Sequence, residues 1–89
     1  MGVNRYAAKR DKNEPEIIAV LKAAGATIVQ ISQEGVCDLL VGINGENYLI
    51  EVKAAKGKLT EPQEAFFATW RGQKSVVRTP EEALRAIGR

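Results

Sequence analysis

The dipeptide Asn44-Gly45 lies between two β-rich segments and constrains the fold more than any other feature of the sequence. Asn-Gly favours a two-residue turn with positive φ at both positions, which joins antiparallel strands in a hairpin. The flanking residues, 36–41 and 48–53, are mostly apolar or β-branched, as is typical of strands. Since the turn fixes the register of a hairpin, the sequence predicts which residues of the two strands face each other.

In the predicted register Ile43 faces Glu46, and Asp38 consequently lies opposite Glu51. Opposed side chains share one face of the sheet, with Cβ atoms about 4.5–5.5 Å apart. Strand alternation places Lys53 on the same face as Glu51. Two carboxylates in this arrangement repel each other unless a divalent cation bridges them or one of them takes up a proton. The pair therefore indicates a site that the stability of the fold alone does not require.

The remaining patterns predict the element order αβββαβα. Apolar residues from Ile17 to Ala24 recur at helical spacing, with Asn13 as the predicted helix cap. The further predicted elements are strands at 27–31 and 75–77 and helices at about 60–70 and 79–87. A helix between the third and fourth strands implies a right-handed crossover and a parallel pair. We therefore predict one α/β (α+β) domain over residues 1–89, with a mixed central sheet flanked by helices and residues 1–12 as a basic arm.

The first helix carries a candidate third acid. On a helical projection Glu14 lies close to the face formed by Ile17 and Leu21, whereas Glu16 points away from it. An acid at the edge of a core is unusual unless it is used. The structural alternative is that Glu14 only complements the helix dipole, just as Asp38 could only protect a sheet edge. The coincidence of these acids with a lysine on one face favours a functional site.

Composition narrows the chemistry further. The chain has no His and one Cys, which excludes His-dependent nucleophiles, His-ligated zinc, an intramolecular disulfide and Cys-rich metal sites. A metal would be held by carboxylates, which favour hard ions such as Mg²⁺ or Mn²⁺. The net charge of +2 leaves a nucleic-acid partner open. No apolar run approaches the ~20 residues of a membrane span, and no signal-peptide pattern is visible, so the sequence predicts a soluble, intracellular protein.

Three segments, GVCDLL, YLIEVK and GKLTEPQ, resemble the PD-(D/E)xK nuclease superfamily, and they are most similar to its stand-alone VRR-NUC type found in viruses and bacteria. The resemblance extends from the first helix to the last strand and implies a restriction-endonuclease-like αβββαβ core. It also implies a cytoplasmic protein, in the cytoplasm of a host if the source is viral. Cys37 stands where the family usually has Pro before the Asp. Because that Pro is not a ligand, the change leaves the implied chemistry intact.

The resemblance assigns roles to five side chains and one carbonyl group: Glu14, Asp38, Glu51, Lys53, Gln63 and the Val52 carbonyl. Asp38 and Glu51, with the Val52 carbonyl, would bind Mg²⁺ or Mn²⁺, and Lys53 would be the catalytic lysine. Glu14 would complete the ligand set directly or through water, with the neighbouring Glu16 as an alternative. Gln63 would position Lys53 or a phosphate, although its spacing from Thr60 equally fits a capping box.

The implied activity is that of a metal-dependent, structure-selective DNA endonuclease, which hydrolyses phosphodiester bonds and acts as a homodimer. Branched DNA such as a four-way (Holliday) junction is the first choice of substrate, and cleavage of flaps, nicks or simple duplex DNA is the alternative. Five basic residues are candidate contacts to the DNA backbone: Lys56, Lys58, Arg71, Lys74 and Arg78. One alternative is a non-catalytic nucleic-acid-binding module with a degenerate nuclease site. Another is a protein-interaction domain that uses Phe66, Phe67 and Trp70, which core packing or a homodimer interface explains equally well.

Overall fold

A computed structural model describes residues 10–89 of the chain. The elements are α1 (Glu14–Ala23), β1 (Thr27–Gln30), β2 (Leu39–Ile43), β3 (Glu46–Val52), α2 (Glu61–Thr69), β4 (Lys74–Val77) and α3 (Pro80–Ala86). The described residues therefore have the predicted order αβββαβα and the predicted mixed α+β class. Residues 1–9 of the predicted basic arm lie outside the described residues, and residues 10–12 lead into α1.

The turn between β2 and β3 has the conformation that its sequence favours. Asn44 and Gly45 have φ values of 53° and 77°, as a two-residue hairpin turn with positive φ at both positions requires. Ile43 pairs with Glu46, and Leu40 pairs with Leu49, so the predicted register is confirmed. Between β2 and β3 this register determines which side chains share a face.

The prediction that the second strand begins at Val36 is wrong, because the ladder begins at Leu39. Asp38 still donates its backbone N–H to the Ile50 carbonyl, at 3.2 Å. The backbone N–H of Val52, however, donates to the side chain of Asp38 at 2.8 Å rather than to a backbone carbonyl of the opposite strand. Because the Asp38 carboxylate accepts this hydrogen bond, the regular backbone pairing of β2 with β3 ends at the candidate site.

The four strands form one mixed sheet in the order β1-β2-β3-β4. The first three strands are antiparallel, and β4 pairs parallel to β3 after the crossing through α2, as predicted. The core lies between the sheet and the pair α1 and α3, and it includes Ile17, Leu21, Leu39, Val41, Ile50, Val52, Val77, Ala83 and Ile87. Strand alternation directs Asp38, Leu40, Leu49 and Glu51 to the opposite face.

Helix α2 begins with a capping box in which Thr60 and Gln63 exchange hydrogen bonds. None of its residues is buried, and the ring of Phe66 stacks on that of Trp70 with centroids 5.5 Å apart. Trp70 is 41% exposed, so the alternative in which this aromatic face is part of the core does not hold for Trp70. Within residues 10–89, no helix is long and apolar enough to cross a bilayer.

Candidate active site

Asp38 and Glu51 bring their carboxyl groups together at the end of the hairpin remote from its turn. The Asp38 Oδ2 atom accepts the backbone N–H of Val52 at 2.8 Å. Glu51 is 2% exposed, and its Oε2 atom lies 3.6 Å from Lys53 Nζ and accepts a hydrogen bond from Gln63 Nε2 at 3.1 Å. The fold therefore brings together four of the side chains that the sequence predicted for the site.

The surroundings of the two carboxyl groups favour their protonated forms. Burial raises the pKa of Glu51 to about 8, helped by the charge of Asp38 and opposed by that of Lys53. Burial also raises the pKa of Asp38, although the Val52 N–H stabilises its charged form. The expected repulsion between these acids thus raises mainly the pKa of Glu51.

Gln63 fulfils both of the functions that its sequence position suggested. Its Oε1 atom accepts the backbone N–H of Thr60 at 2.9 Å, which completes the capping box of α2. Its Nε2 group donates to Glu51. Because the amide has separate acceptor and donor ends, a helix cap and a contact to the acid pair are compatible in one side chain. The start of α2 is thereby connected to the site.

Glu14 points into the domain, whereas Glu16 is exposed, so the predicted facing of α1 is confirmed. The Oε2 atom of Glu14 accepts from Arg10 Nε at 2.7 Å and from Gln30 Nε2 at 3.0 Å. Its Oε1 atom is buried and has no hydrogen-bond partner among the described residues. Within the described range, no three acidic or cysteine side chains form a group arranged to hold a metal. Glu14 therefore lies near the acid pair but already forms a salt bridge with Arg10.

Arg10 is the main site residue that the sequence analysis missed, because it was assigned to the basic arm. Besides Glu14, its guanidinium donates to the Ile31 carbonyl at 3.3 Å and to the Asp38 carbonyl at 2.9 Å. Its Nη2 atom also lies 3.9 Å from Asp38 Oδ1. A signal was present in the sequence, since Arg10 and Glu14 are four residues apart and a buried acid needs a partner.

Asn13 occupies the predicted N-cap position of α1, but its side chain makes no capping hydrogen bond. Its amide instead donates to the Lys53 carbonyl at 3.1 Å and to the Arg78 carbonyl at 3.0 Å. The prediction of a side-chain cap was therefore wrong. The side-chain amide thus connects the end of β3 with the end of β4, which come close to Asn13 only in the folded chain.

A cavity of about 360 Å³ opens onto the acid pair. The loop of residues 31–38 forms one wall, Arg10 and Gln63 contribute to the others, and Asp38 and Glu51 lie against it. A Cβ atom added to Gly35, which has φ of +81°, would lie 3.3 Å from the Pro62 side chain. The loop therefore packs closely against the start of α2.

Cys37 is unsuited to act as a nucleophile. It is 4% exposed, and its Sγ atom contacts the Leu39 carbonyl at 3.8 Å. Burial raises the pKa of its thiol to about 11, with smaller contributions from the charges of Glu51 and Asp38. Because only a thiolate is strongly nucleophilic, the chemistry of the site depends on the carboxyl groups and the lysine.

The candidate DNA-contacting cations have different surroundings. Arg78 donates to the Ala54 and Gly57 carbonyls, each at 2.7 Å, and so anchors the loop that follows Lys53. Lys74 donates to the Trp70 carbonyl at 2.7 Å. The side chains of Lys56, Lys58, Arg71 and Lys74 belong to exposed residues. Arg78 therefore has a structural function in the fold, whatever else it contacts.

Comparison of the chain with protein-family models, with curated proteins and with solved structures gives no significant match. The observed mixed α+β fold is compatible with the core that the nuclease resemblance implies.

Proposed function

We propose that this protein is a metal-dependent DNA endonuclease that hydrolyses phosphodiester bonds, with branched DNA such as a four-way junction as its preferred substrate. The observation that carries the proposal is the acid pair of the buried Glu51 and the half-buried Asp38. Asp38 and Glu51 are held together beside Lys53 and Gln63, at a cavity open to a substrate. This arrangement is costly for the fold by itself, since burial of the pair disfavours its charged form.

The residues present suit a hard divalent cation. The Oε1 atoms of Glu14 and Glu51 are both buried and have no hydrogen-bond partner among the described residues. A cation held by Asp38, Glu51 and the Val52 carbonyl would neutralise the acid pair and give Glu51 Oε1 a partner. Glu14 Oε1 would accept from the water around that cation. Mg²⁺ commonly uses one or two protein carboxylates and completes its octahedron with water and phosphate oxygens, so a preformed cluster of three acids is not required.

A bound Mg²⁺ or Mn²⁺ supplies Lewis acidity toward the phosphate and lowers the pKa of water at the site. The remaining functions belong to this chain's own residues. Lys53 holds a water for attack or stabilises the negative charge that develops on the phosphate, as a compact ammonium group can. Gln63 keeps Glu51 in place through its Nε2 donor. The backbone N–H of Val52 fixes the Asp38 carboxylate.

The proposed substrate class is tested by incubating the purified protein with a labelled four-way junction and a duplex of matched sequence, in Mg²⁺, in Mn²⁺ and in EDTA. We expect metal-dependent, symmetric cuts in the junction, which would also support a homodimer with two active sites. Equal cutting of both DNAs would retain the nuclease and remove the junction preference. DNA binding without cleavage in either metal would favour the non-catalytic module with a degenerate site.

The exposed cations near Trp70 give a separate prediction on DNA binding. Trp70 is the only tryptophan of the chain and is 41% exposed, and Arg71 and Lys74 follow it. If these cations contact phosphates, DNA added in EDTA will change the Trp70 fluorescence, and log Kd will depend steeply on log salt.

Replacing both Arg71 and Lys74 with Glu should weaken this binding and lower the salt slope by about 1 for each phosphate interaction that the substitutions remove. Arg85→Glu combined with Lys22→Glu, at exposed residues of α3 and α1, is the matched double charge reversal and should leave the titration near that of the wild type. An unchanged affinity in the double variant of Arg71 and Lys74 would remove this surface from the DNA interface.

A further inference from the structure

The segment from Arg10 to Glu14 contacts the candidate site at two places, Asp38 and Lys53. Arg10 lies where the loop of residues 31–38 begins and ends. The Asp38 carbonyl accepts two hydrogen bonds there, from the Ile31 N–H at 2.8 Å and from Arg10 Nη2 at 2.9 Å. Arg10 Nη1 reaches the Ile31 carbonyl, and Nε pairs with the buried Glu14. One guanidinium thus connects α1, both ends of the loop and the residue that carries the first carboxylate.

Asn13 makes the corresponding connection on the other side of the site. Its Nδ2 group donates to the Lys53 carbonyl at the end of β3 and to the Arg78 carbonyl just after β4. The Lys53 N–H is donated to the Val77 carbonyl at 3.0 Å, so both backbone groups of Lys53 are fixed. Asn13 uses both amide hydrogens here, and its Oδ1 atom makes no capping hydrogen bond to its own helix.

Among the described residues, the groups that accept hydrogen bonds from Arg10 and Asn13 lie outside the buried hydrophobic cluster. Arg10 is 18% exposed and Asn13 is half-buried, and the buried hydrophobic cluster contains neither. Their partners include Asp38, just before β2, and Lys53, just after β3. The distance between these two residues determines where a carboxylate and an ammonium group would contact a substrate. A planar guanidinium with several donors, and an amide with two, fix positions better than a single flexible contact does.

We infer that Arg10 and Asn13 are positioning residues for the proposed phosphodiester hydrolysis, Arg10 acting through Asp38 and Asn13 acting through Lys53. Glu14 holds Arg10 in the required orientation through its Oε2 atom. The inference rests on the proposed function for its catalytic consequence. The positioning itself is a property of the chain without metal or DNA.

The experiment compares Arg10→Gln, Arg10→Lys and Asn13→Ala with the exposed control Lys12→Gln. Amide hydrogen exchange is measured by NMR in EDTA at Val52, whose N–H donates to Asp38, and at Lys53. Leu49, whose N–H donates to the Gln73 carbonyl, reports the stability of the sheet away from the site.

We expect Arg10→Gln to accelerate exchange at Val52, and Asn13→Ala to accelerate exchange at Lys53, each by about 10-fold or more, with Leu49 within about twofold of the wild type. Arg10→Lys, which keeps the charge without the planar donor set, should give an intermediate rate at Val52. Equal acceleration at all three amides would show a general structural role and overturn the inference, as would no acceleration at all.

Steady-state cleavage provides the second readout. In Arg10→Gln and Asn13→Ala we expect kcat to fall by about 10-fold or more with KM for DNA nearly unchanged, because the substrate still binds but meets a misplaced carboxylate or lysine. A rise in KM at constant kcat would make Arg10 a DNA contact and overturn its assignment. If the wild type cleaves no DNA, the proposed function fails, and the exchange rates alone decide whether these residues position Asp38 and Lys53.

Discussion

Replacing Glu51 with Gln will reduce Mg²⁺- or Mn²⁺-dependent DNA cleavage by about 10³-fold or more while the protein remains folded. Gln has nearly the same shape as Glu and keeps an oxygen that can accept from Gln63, so the packing at this buried position is preserved. It cannot supply the negative charge that a hard cation requires. Cleavage is measured on the best DNA substrate under saturating metal, with circular dichroism as the check on folding.

Lys53→Ala should cause a loss of about 10²–10³-fold for a different reason, since it removes the ammonium group that lies 3.6 Å from Glu51. The matched controls are Glu81→Gln and Lys22→Ala, which change exposed residues of α3 and α1. Both controls should cleave at the wild-type rate. Wild-type rates in Glu51→Gln and Lys53→Ala as well would remove the proposed site from the molecule.

The stability of the metal-free protein will fall as pH rises from about 5 to 8. The pKa of Glu51 is raised in the folded state to about 8 from an ordinary value of 4.5. Between these values the folded state retains a proton that the unfolded state has lost, so the free energy of unfolding decreases with pH and levels off above the folded-state pKa. The chain has no His, so no other side chain with an ordinary pKa titrates in this window.

We expect the midpoint of thermal unfolding in EDTA to fall by about 5 °C or more across this interval, since about 1 kcal/mol corresponds to about 4–8 °C in a domain of this size. Glu51→Gln should be more stable than the wild type at pH 8 and should have a smaller slope, to which Asp38 still contributes, whereas Glu81→Gln should retain the full slope. Saturating Mg²⁺ or Mn²⁺ should restore the wild type at pH 8. A flat wild-type profile, or an undiminished slope in Glu51→Gln, would contradict the raised pKa of Glu51.

The same geometry revises one expectation about Asp38. From the register alone, Asp38→Asn is expected to stabilise the metal-free protein by relieving repulsion. In the fold, however, the Val52 N–H and Arg10 already compensate the charge of Asp38. We therefore expect a smaller gain in the free energy of unfolding in EDTA from Asp38→Asn than from Glu51→Gln, as urea denaturation at pH 8 can measure. A larger gain for Asp38→Asn than for Glu51→Gln would contradict this, because it would place the main electrostatic cost on Asp38.

The sequence by itself determined the hairpin and, through it, the acid pair. A two-residue Asn-Gly turn leaves one register, and strand alternation then directs Asp38, Glu51 and Lys53 to a common face. The inward orientation of Glu14 likewise follows from the helical period of α1. The capping box that brings Gln63 to the start of α2 is readable for the same reason, because its partners are three residues apart.

The tertiary structure alone decided what surrounds those acids. The partners of Arg10 include Asp38, and those of Asn13 include Lys53 and Arg78, all far away along the chain. Local patterns therefore suggested an arm and a helix cap. Only chain folding brings their donors to these carbonyl groups, because such hydrogen bonds depend on the packing of α1 against the sheet rather than on any repeat in the sequence. The shift of the Glu51 pKa has the same origin, since its largest cause is the burial of this side chain in the folded protein.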